Sequence, residues 1–191
     1  MPDIEFQSPI SHGPISTPDG SVSIEDETST TKVVVRAAAG TAAAADLGVP
    51  YGQSRLRADG TLVCGTRPDE WTLFAAAGRA AEVIAPVDTD GFVNAIDITH
   101  GRAMMRVSGP KATALLAKVC NIDLADDMTP DGAVFSGSVA KVTCDLLRAD
   151  RAGEASYLIS CERSFGSYLF AALADASTEF GASLPAGLSI H

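Results

Sequence analysis

An interlocked α+β body with antiparallel sheets and packed helices is the fold class this sequence predicts. Three observations carry it. Short runs with apolar alternation at period two recur in both halves. Two windows at helical spacing follow strands in the second half. That half then reads strand, helix, strand, strand, helix, one strand short of a ferredoxin-like unit. A strand from the first half is expected to supply the missing edge and tie both halves together. The size agrees, since 191 residues with 46% hydrophobic side chains suit one domain plus a tail, or two small lobes sharing a core.

Residues 1–31 read as an extended acidic arm and 32–191 as the folded body. The arm is rich in Pro, Ser, Thr and Gly, carries Asp3, Glu5, Asp19, Glu25, Asp26 and Glu27, and has no Lys or Arg. Such a composition buries too little apolar surface to order itself. Ile4, Phe6, Ile10 and Ile15 are spaced apolar pegs within it. Two readings stay open: a disordered tail, or an arm that wraps a partner and orders on binding. Without a basic start or an apolar stretch, it does not read as a signal peptide.

Lys32 to Arg36 is a short β-branched strand. Ala37 to Ala45 is Ala-rich, and a short helix and a packed linker both fit. Arg55–Arg57 and Thr61–Gly65 are strands around the Asp59-Gly60 turn signal. Glu70–Ala75 puts Trp71 and Leu73 on one face and Thr72 and Phe74 on the other. Ala75–Val83 looks helical. Phe92–Ile98 is nearly all apolar and short, the pattern of a central strand. Ala103–Val107 alternates, with Met104 and Arg106 opposite Ala103, Met105 and Val107. Pro110 suits a first helical position, and Ala112, Leu115, Leu116 and Val119 then mark a core-facing helix. Val139–Leu147 is a half-buried strand with Val142, Cys144 and Leu146 inward. Tyr157–Cys161 pairs with it across Asp150–Glu154. Ser164 is placed as an N-cap. Phe165, Leu169, Ala172, Leu173, Ala176 and Phe180 form a helical stripe that Gly181 ends.

Charge excludes some functions. A net charge of −10 repels phosphate backbones and anionic lipid. No apolar run approaches a membrane span. Cys64, Cys120, Cys144 and Cys161 are far apart in sequence, without a C-x-x-C, and read as buried free thiols in a reducing compartment. A cytoplasmic protein is the expectation.

Chemical motifs are few. There is no G-x-G-x-x-G after a strand and no Walker A loop. His12, His100 and His191 lie too far apart for a zinc site. Ser108–Lys111 and Ser138–Lys141 are S-x-x-K strings without companion motifs, read as a helix entrance and a strand. Gly109-Pro110-Lys111 reads as a plain helix entry. Asp97, His100 and Arg102 are the main candidates. Asp97 and His100 are read as satisfying turn backbone groups, with Arg102 paired to Asp97. A partner contact through His100 and acid–base work by the imidazole are the other readings.

The strings Arg67-Pro68-Asp69-Glu70-Trp71, Asp97-Ile98-Thr99-His100-Gly101-Arg102, Val107-Ser108-Gly109-Pro110 with Leu115-Leu116, and Arg163-Ser164-Phe165 leading to Glu179-Phe180-Gly181 come in a telling order. Together, across roughly residues 55–181, they resemble the gamma subunits of heterotetrameric sarcosine oxidases, with Thr99 where that family's turn has Ser. The resemblance implies the fold of the folate-binding glycine-cleavage T-protein family. It implies a non-catalytic subunit in an oxidoreductase complex acting on the CH–NH bond of an N-methyl amino acid. It places FAD, FMN, NAD and tetrahydrofolate in partner subunits and none of them here. The implied partners are larger alpha and beta flavoprotein subunits, with room for a small zinc-binding delta subunit. Asp97, His100, Arg102 and Trp71 become candidate interface or structural-turn residues, and Trp71 or Met104 candidates for an exposed partner surface. The acidic arm is the least familiar part and leaves a related N-methyl-amine enzyme open. The alternatives are an independent tetrahydrofolate-binding one-carbon protein, with Asp97 as pterin carboxylate, and an unrelated scaffold module.

Overall fold

A computed structural model describes residues 6–188 of the protein. Asp3, Ile4, Glu5 and His191 lie outside the described residues. One antiparallel sheet has 5 strands, in the order β4 (Ser54–Leu56), β5 (Leu62–Arg67), β6 (Glu70–Ala75), β3 (Thr31–Ala37) and β7 (Val93–Asp97). The other has 6, in the order β1 (Ile15–Ser16), β2 (Ser23–Asp26), β8 (Arg102–Ser108), β11 (Ser156–Glu162), β10 (Val142–Arg148) and β9 (Val134–Val139).

The sheets face each other with helices outside. Helices α1 (Ala42–Leu47) and α2 (Ala80–Ile84) bury Ala43, Leu47 and Val83 against Val33, Val35, Trp71 and Leu73. Helices α3 (Ala112–Val119) and α4 (Gly166–Ser177) bury Leu115, Leu116, Leu169 and Leu173 against Met105, Val107, Leu146 and Ile159. A smaller cluster, Cys64, Met104, Val134, Leu147 and Leu158, lies between the sheets. The layers therefore run helix, sheet, sheet, helix.

The order β2-β8-β11-β10, with α3 and α4 on one face, is a ferredoxin-like unit. Its fourth strand comes from the first half as expected, but from residues read as a free arm. Ile24 pairs with Val107 and Glu25 with Arg106. Thr28 Oγ1 donates to Met104 O at 3.2 Å and stands 3.1 Å from the Met104 N–H. Ile10, Ile15, Val22 and Ile24 join the core under α4. The disordered or partner-wrapping reading is thus corrected for residues 15–31, which fold onto this chain's own sheet. A four-residue strand is invisible to composition, because its pairing energy comes from β8 and not from itself.

Other differences are local. β7 is an edge strand and not a central one, and Phe92 beside it is 90% exposed. The strand expected over 139–147 is two strands, joined by Ala140 and Lys141 at φ of 48° and 68°, the backbone of a two-residue hairpin. β9 was hidden by its Ser-Gly-Ser centre. Ala37–Ala45 resolves into α1, capped by Thr41, whose Oγ1 accepts from Ala44 N–H at 3.3 Å. α2 is shorter than expected. Pro110 precedes α3 by two residues, and Ser164 caps nothing, because a 3-10 turn, Arg163–Phe165, leads into α4. Gly181 ends the last helical turn at φ 93°.

Gly109 locks β2 to the entrance of α3. It sits at φ 111°, and a Cβ there would lie 2.6 Å from Ser21 O, the carbonyl that accepts from Lys111 N–H. Both strain and contact oppose a side chain. Gly109→Ala should therefore lower unfolding stability by about 2–4 kcal/mol, read as a smaller urea midpoint.

Candidate functional site

Strand β3 alternates between two environments. Val33 and Val35 face the helices, while Lys32, Val34 and Arg36 face the space between the sheets. Register sets their neighbours: Phe74, Thr72 and Glu70 on β6 lie opposite them in turn, and Ile96 and Asn94 flank them on β7. The facing wall carries Met104 and Arg102 from β8, Leu158 and Ser160 from β11, and Asp145 and Leu147 from β10. These walls enclose a cavity of about 440 Å³. Its floor is apolar, and its charges form three groups.

The first group is Glu70, 4% exposed. Arg36 Nε donates to its Oε2 at 2.6 Å, Arg67 pairs with its Oε1, and Thr66 Oγ1 lies 3.3 Å from that oxygen. Burial alone would raise the carboxyl pKa, but the hydrogen bond and charge of Arg36 and Arg67 together hold it below its ordinary value. The second group is Arg102. It donates to Asp145 Oδ2 at 2.8 Å, Glu162 Oε1 at 3.2 Å and Ser160 O at 2.9 Å. The third is Lys32, with no exposed surface. Its Nζ donates to Thr28 O and Thr30 O, both at 2.8 Å. Burial pulls its pKa down to about 8, against the opposing pull of Asp26.

Chemically the charges around the cavity brace its walls. Its carboxylates Glu70, Asp145 and Glu162 each hold an arginine, so none is poised as a proton acceptor. Burial first of all raises the Cys64 thiol, and raises Cys144 to about 12 and Cys161 to about 11, leaving weak nucleophiles. No group of three or more His, Cys, Asp or Glu able to hold a metal occurs among the described residues. No helix there is long and apolar enough to cross a membrane.

The residues singled out in sequence do not converge. Asp97 Oδ1 accepts the Thr99 N–H at 2.9 Å, the turn role expected. Arg102 pairs with Asp145 and Glu162 instead of Asp97, because β8 sets it beside β11 and β10 in the six-stranded sheet, while Asp97 ends β7 in the other. His100 is exposed and meets the Phe6 ring edge-on at 5.0 Å. Trp71 is buried under α1 and α2 and donates Nε1–H to Val49 O at 2.8 Å, and Met104 is fully buried. Neither offers a partner surface in this chain. Thr99 Oγ1 accepts the Lys32 N–H at 2.9 Å, a bond any hydroxyl residue can make there. Lys32 and Glu70 were missed as site residues. Their signal was a charged residue at a period-two position inside an apolar strand.

The GCVT N-terminal domain family matches residues 36–189. Sarcosine oxidase subunit gamma from Corynebacterium sp. (strain P-1) is 31% identical over 172 residues, covering 84% of this chain and 82% of its own length. The protein of that name from Arthrobacter sp. gives the same figures. A chain of the heterotetrameric sarcosine oxidase from Corynebacterium sp. U-96, in complex with pyrrole 2-carboxylate, matches with a TM-score of 0.73 at 27% identity. That match covers 86% of this chain and 88% of the other. Glycine cleavage system aminomethyltransferase T from Bartonella henselae matches with a TM-score of 0.62 at 18% identity, over 78% of this chain and 44% of that one. This last likeness is one of fold alone.

Two pH experiments test the charges. Glu70 has a lowered folded pKa, so its contribution is present above its unfolded value of 4.5 and is lost as pH falls through the folded value. Glu70→Gln should cost about 1–2 kcal/mol at pH 7, discounted for its exposed arginine partners, and the gap from wild type should close below that value. Lys32 behaves oppositely. Between pH about 8 and 10.5 the unfolded chain keeps a proton that the folded chain has released, so stability rises with pH across that window. The rise should reach up to about 3 kcal/mol, and Lys32→Met should flatten it in parallel urea titrations.

Proposed function

The chain belongs to the GCVT N-terminal domain family and to the sarcosine oxidase gamma subunits within it, and from that membership we propose that it serves as the small, non-catalytic subunit of a flavoenzyme complex. The complex oxidatively demethylates an N-methyl amino acid, sarcosine or a close relative, at its CH–NH bond. It passes the one-carbon unit to tetrahydrofolate. Larger alpha and beta subunits carry the FAD, FMN, NAD and folate sites, and a small zinc-binding delta subunit completes the assembly. The complex works in the cytoplasm, and this chain braces it.

One observation carries the reading: likeness to a gamma subunit extends along nearly the whole body, in sequence and in fold. The cavity supports it, since its carboxylates are paired with arginines and its buried Lys32 with backbone carbonyls. A folate-binding role for the chain alone finds less support. Asp97, the carboxylate named for a pterin, lies on the opposite parity of β7 from the cavity-lining Asn94 and Ile96.

Affinity capture of the tagged chain from its native cells, with an absorbance spectrum of the eluate, tests the proposal. Larger chains carrying flavin absorption are expected. A lone, colourless chain that also gives heat on titration with tetrahydrofolate would sink the subunit reading and favour an independent folate protein.

A further inference from the structure

We propose that the free edge of β7 is a strand-addition site. An extended segment of a larger partner subunit, apolar at its centre and flanked by Lys or Arg, pairs with Val93–Asp97 and converts this edge strand into an inner one. The proposal rests on the subunit reading and specifies where the partner holds the chain.

The mismatch between pattern and position comes first. Phe92–Ile98 has the nearly continuous apolar composition of a central strand. Among the described residues it pairs with β3 alone, leaving Phe92 90% and Ile96 52% exposed. Soluble proteins blunt such edges with Lys, Pro, bulges or cover. The other edges here are blunted. β1 has 2 residues, and β4 has 3 with Arg55 inside it and Arg57 just beyond. β9 is covered: Asn121 N–H donates to Ser138 O at 3.2 Å, Asn121 Oδ1 accepts the Ser138 N–H at 2.9 Å, and Val134 N–H donates to Gly52 O at 2.9 Å. β7 has no Lys, Pro or bulge.

Hydrogen-bond parity identifies the free groups. Ala38 N–H donates to Phe92 O at 3.0 Å, and Ile98 N–H donates to Lys32 O at 2.8 Å. Residues 92, 94, 96 and 98 therefore point their backbone groups at β3. The Ala95 and Asp97 amides and the Val93, Ala95 and Asp97 carbonyls point outward, ready for a sixth strand.

Charge selects the occupant. From Ala80 to Gly101 there is no Lys or Arg, while Asp88 and Asp90 precede the edge strand and Asp97 ends it. A second copy would bring the same acids from a chain of net charge −10. A basic-flanked strand of a different chain complements them. Because Asn94 and Ile96 also line the cavity, the added strand extends that wall and sets its own side chains beside the opening.

Deuterium exchange into the peptide spanning Phe92–Ile98, in the isolated chain and in the purified complex, tests this. The Ala95 and Asp97 amides should slow by about tenfold or more on assembly, while those of Asn94, Ile96 and Ile98 are already protected. Ala95→Pro removes one outward N–H without touching the β3 ladder. It should keep the thermal transition of the isolated chain and lose about tenfold in co-purified partner. If Ala95→Pro fails to fold, wild-type exchange and Ile96→Lys decide. A complex whose Ala95 and Asp97 amides exchange as in the free chain overturns the edge proposal and leaves the subunit reading intact. Protection through self-association of the isolated chain overturns it in favour of a second copy. Absence of any larger partner removes the subunit reading and the proposal together.

Discussion

The crossing from β2 to β3 is the constraint on which the two-sheet arrangement depends. Across four residues, Glu27 to Thr30, the chain leaves one sheet at Asp26 and enters the other at Thr31. Three sets of bonds hold it. Thr28 brackets the backbone of Met104 in β8. Lys32 Nζ gathers the carbonyls of Thr28 and Thr30, which would otherwise lack partners in the interior. Thr99 Oγ1 takes the Lys32 N–H and so ties the turn after β7 to the same point. A buried ammonium is costly, but it satisfies two carbonyls at the one place where neither sheet can.

This crossing also explains the cavity. The two outer interfaces are closed by helices whose apolar stripes fill the gaps. Among the described residues the inner interface has no helix, and charged residues take several positions on its facing strands. Lys32, Glu70 and Arg102 cannot interdigitate as Leu and Val would, because Glu70 and Arg102 need polar partners on their own sheets and Lys32 needs the carbonyls of the crossing. The apolar cluster stops at Met104, Leu147 and Leu158, and the rest of the layer stays open. Packing and pairing compete for the same face, and here pairing wins at the margins while packing wins at the centre.

Much of the architecture was legible because period-two and helical patterns report one-sided burial. Val33 and Val35, Trp71 and Leu73, and Leu115 and Leu116 all turned out to face helices or sheets as their spacing required. Features that depend on a distant partner were hidden. β2 has four residues, and nothing local distinguishes it from the polar stretch around it. The Arg102–Asp145 pair joins residues 43 apart in sequence, so the short Asp97–Arg102 spacing misdirected the reading. Arg36 and Glu70 meet only through the β3–β6 register, although Arg67-Pro68-Asp69-Glu70 is contiguous in the sequence. The site is a product of register, and register is the information a single sequence carries least openly.

One disagreement between pattern and place differs in kind from the others. Ser164 and Pro110 were misplaced by a residue or two at helix ends, where local alternatives differ little in energy. β7 has its predicted conformation over Val93–Asp97, inside the expected 92–98, and differs chiefly in its surroundings. A strand whose composition demands neighbours on both sides, found with a neighbour on one, is consistent within itself and incomplete within its chain. The acids flanking it keep copies of this chain apart, while its backbone and its exposed Phe92 and Ile96 offer a different chain both direction and affinity. Read in this way, composition at an edge describes the assembled molecule, and position describes the separate chain.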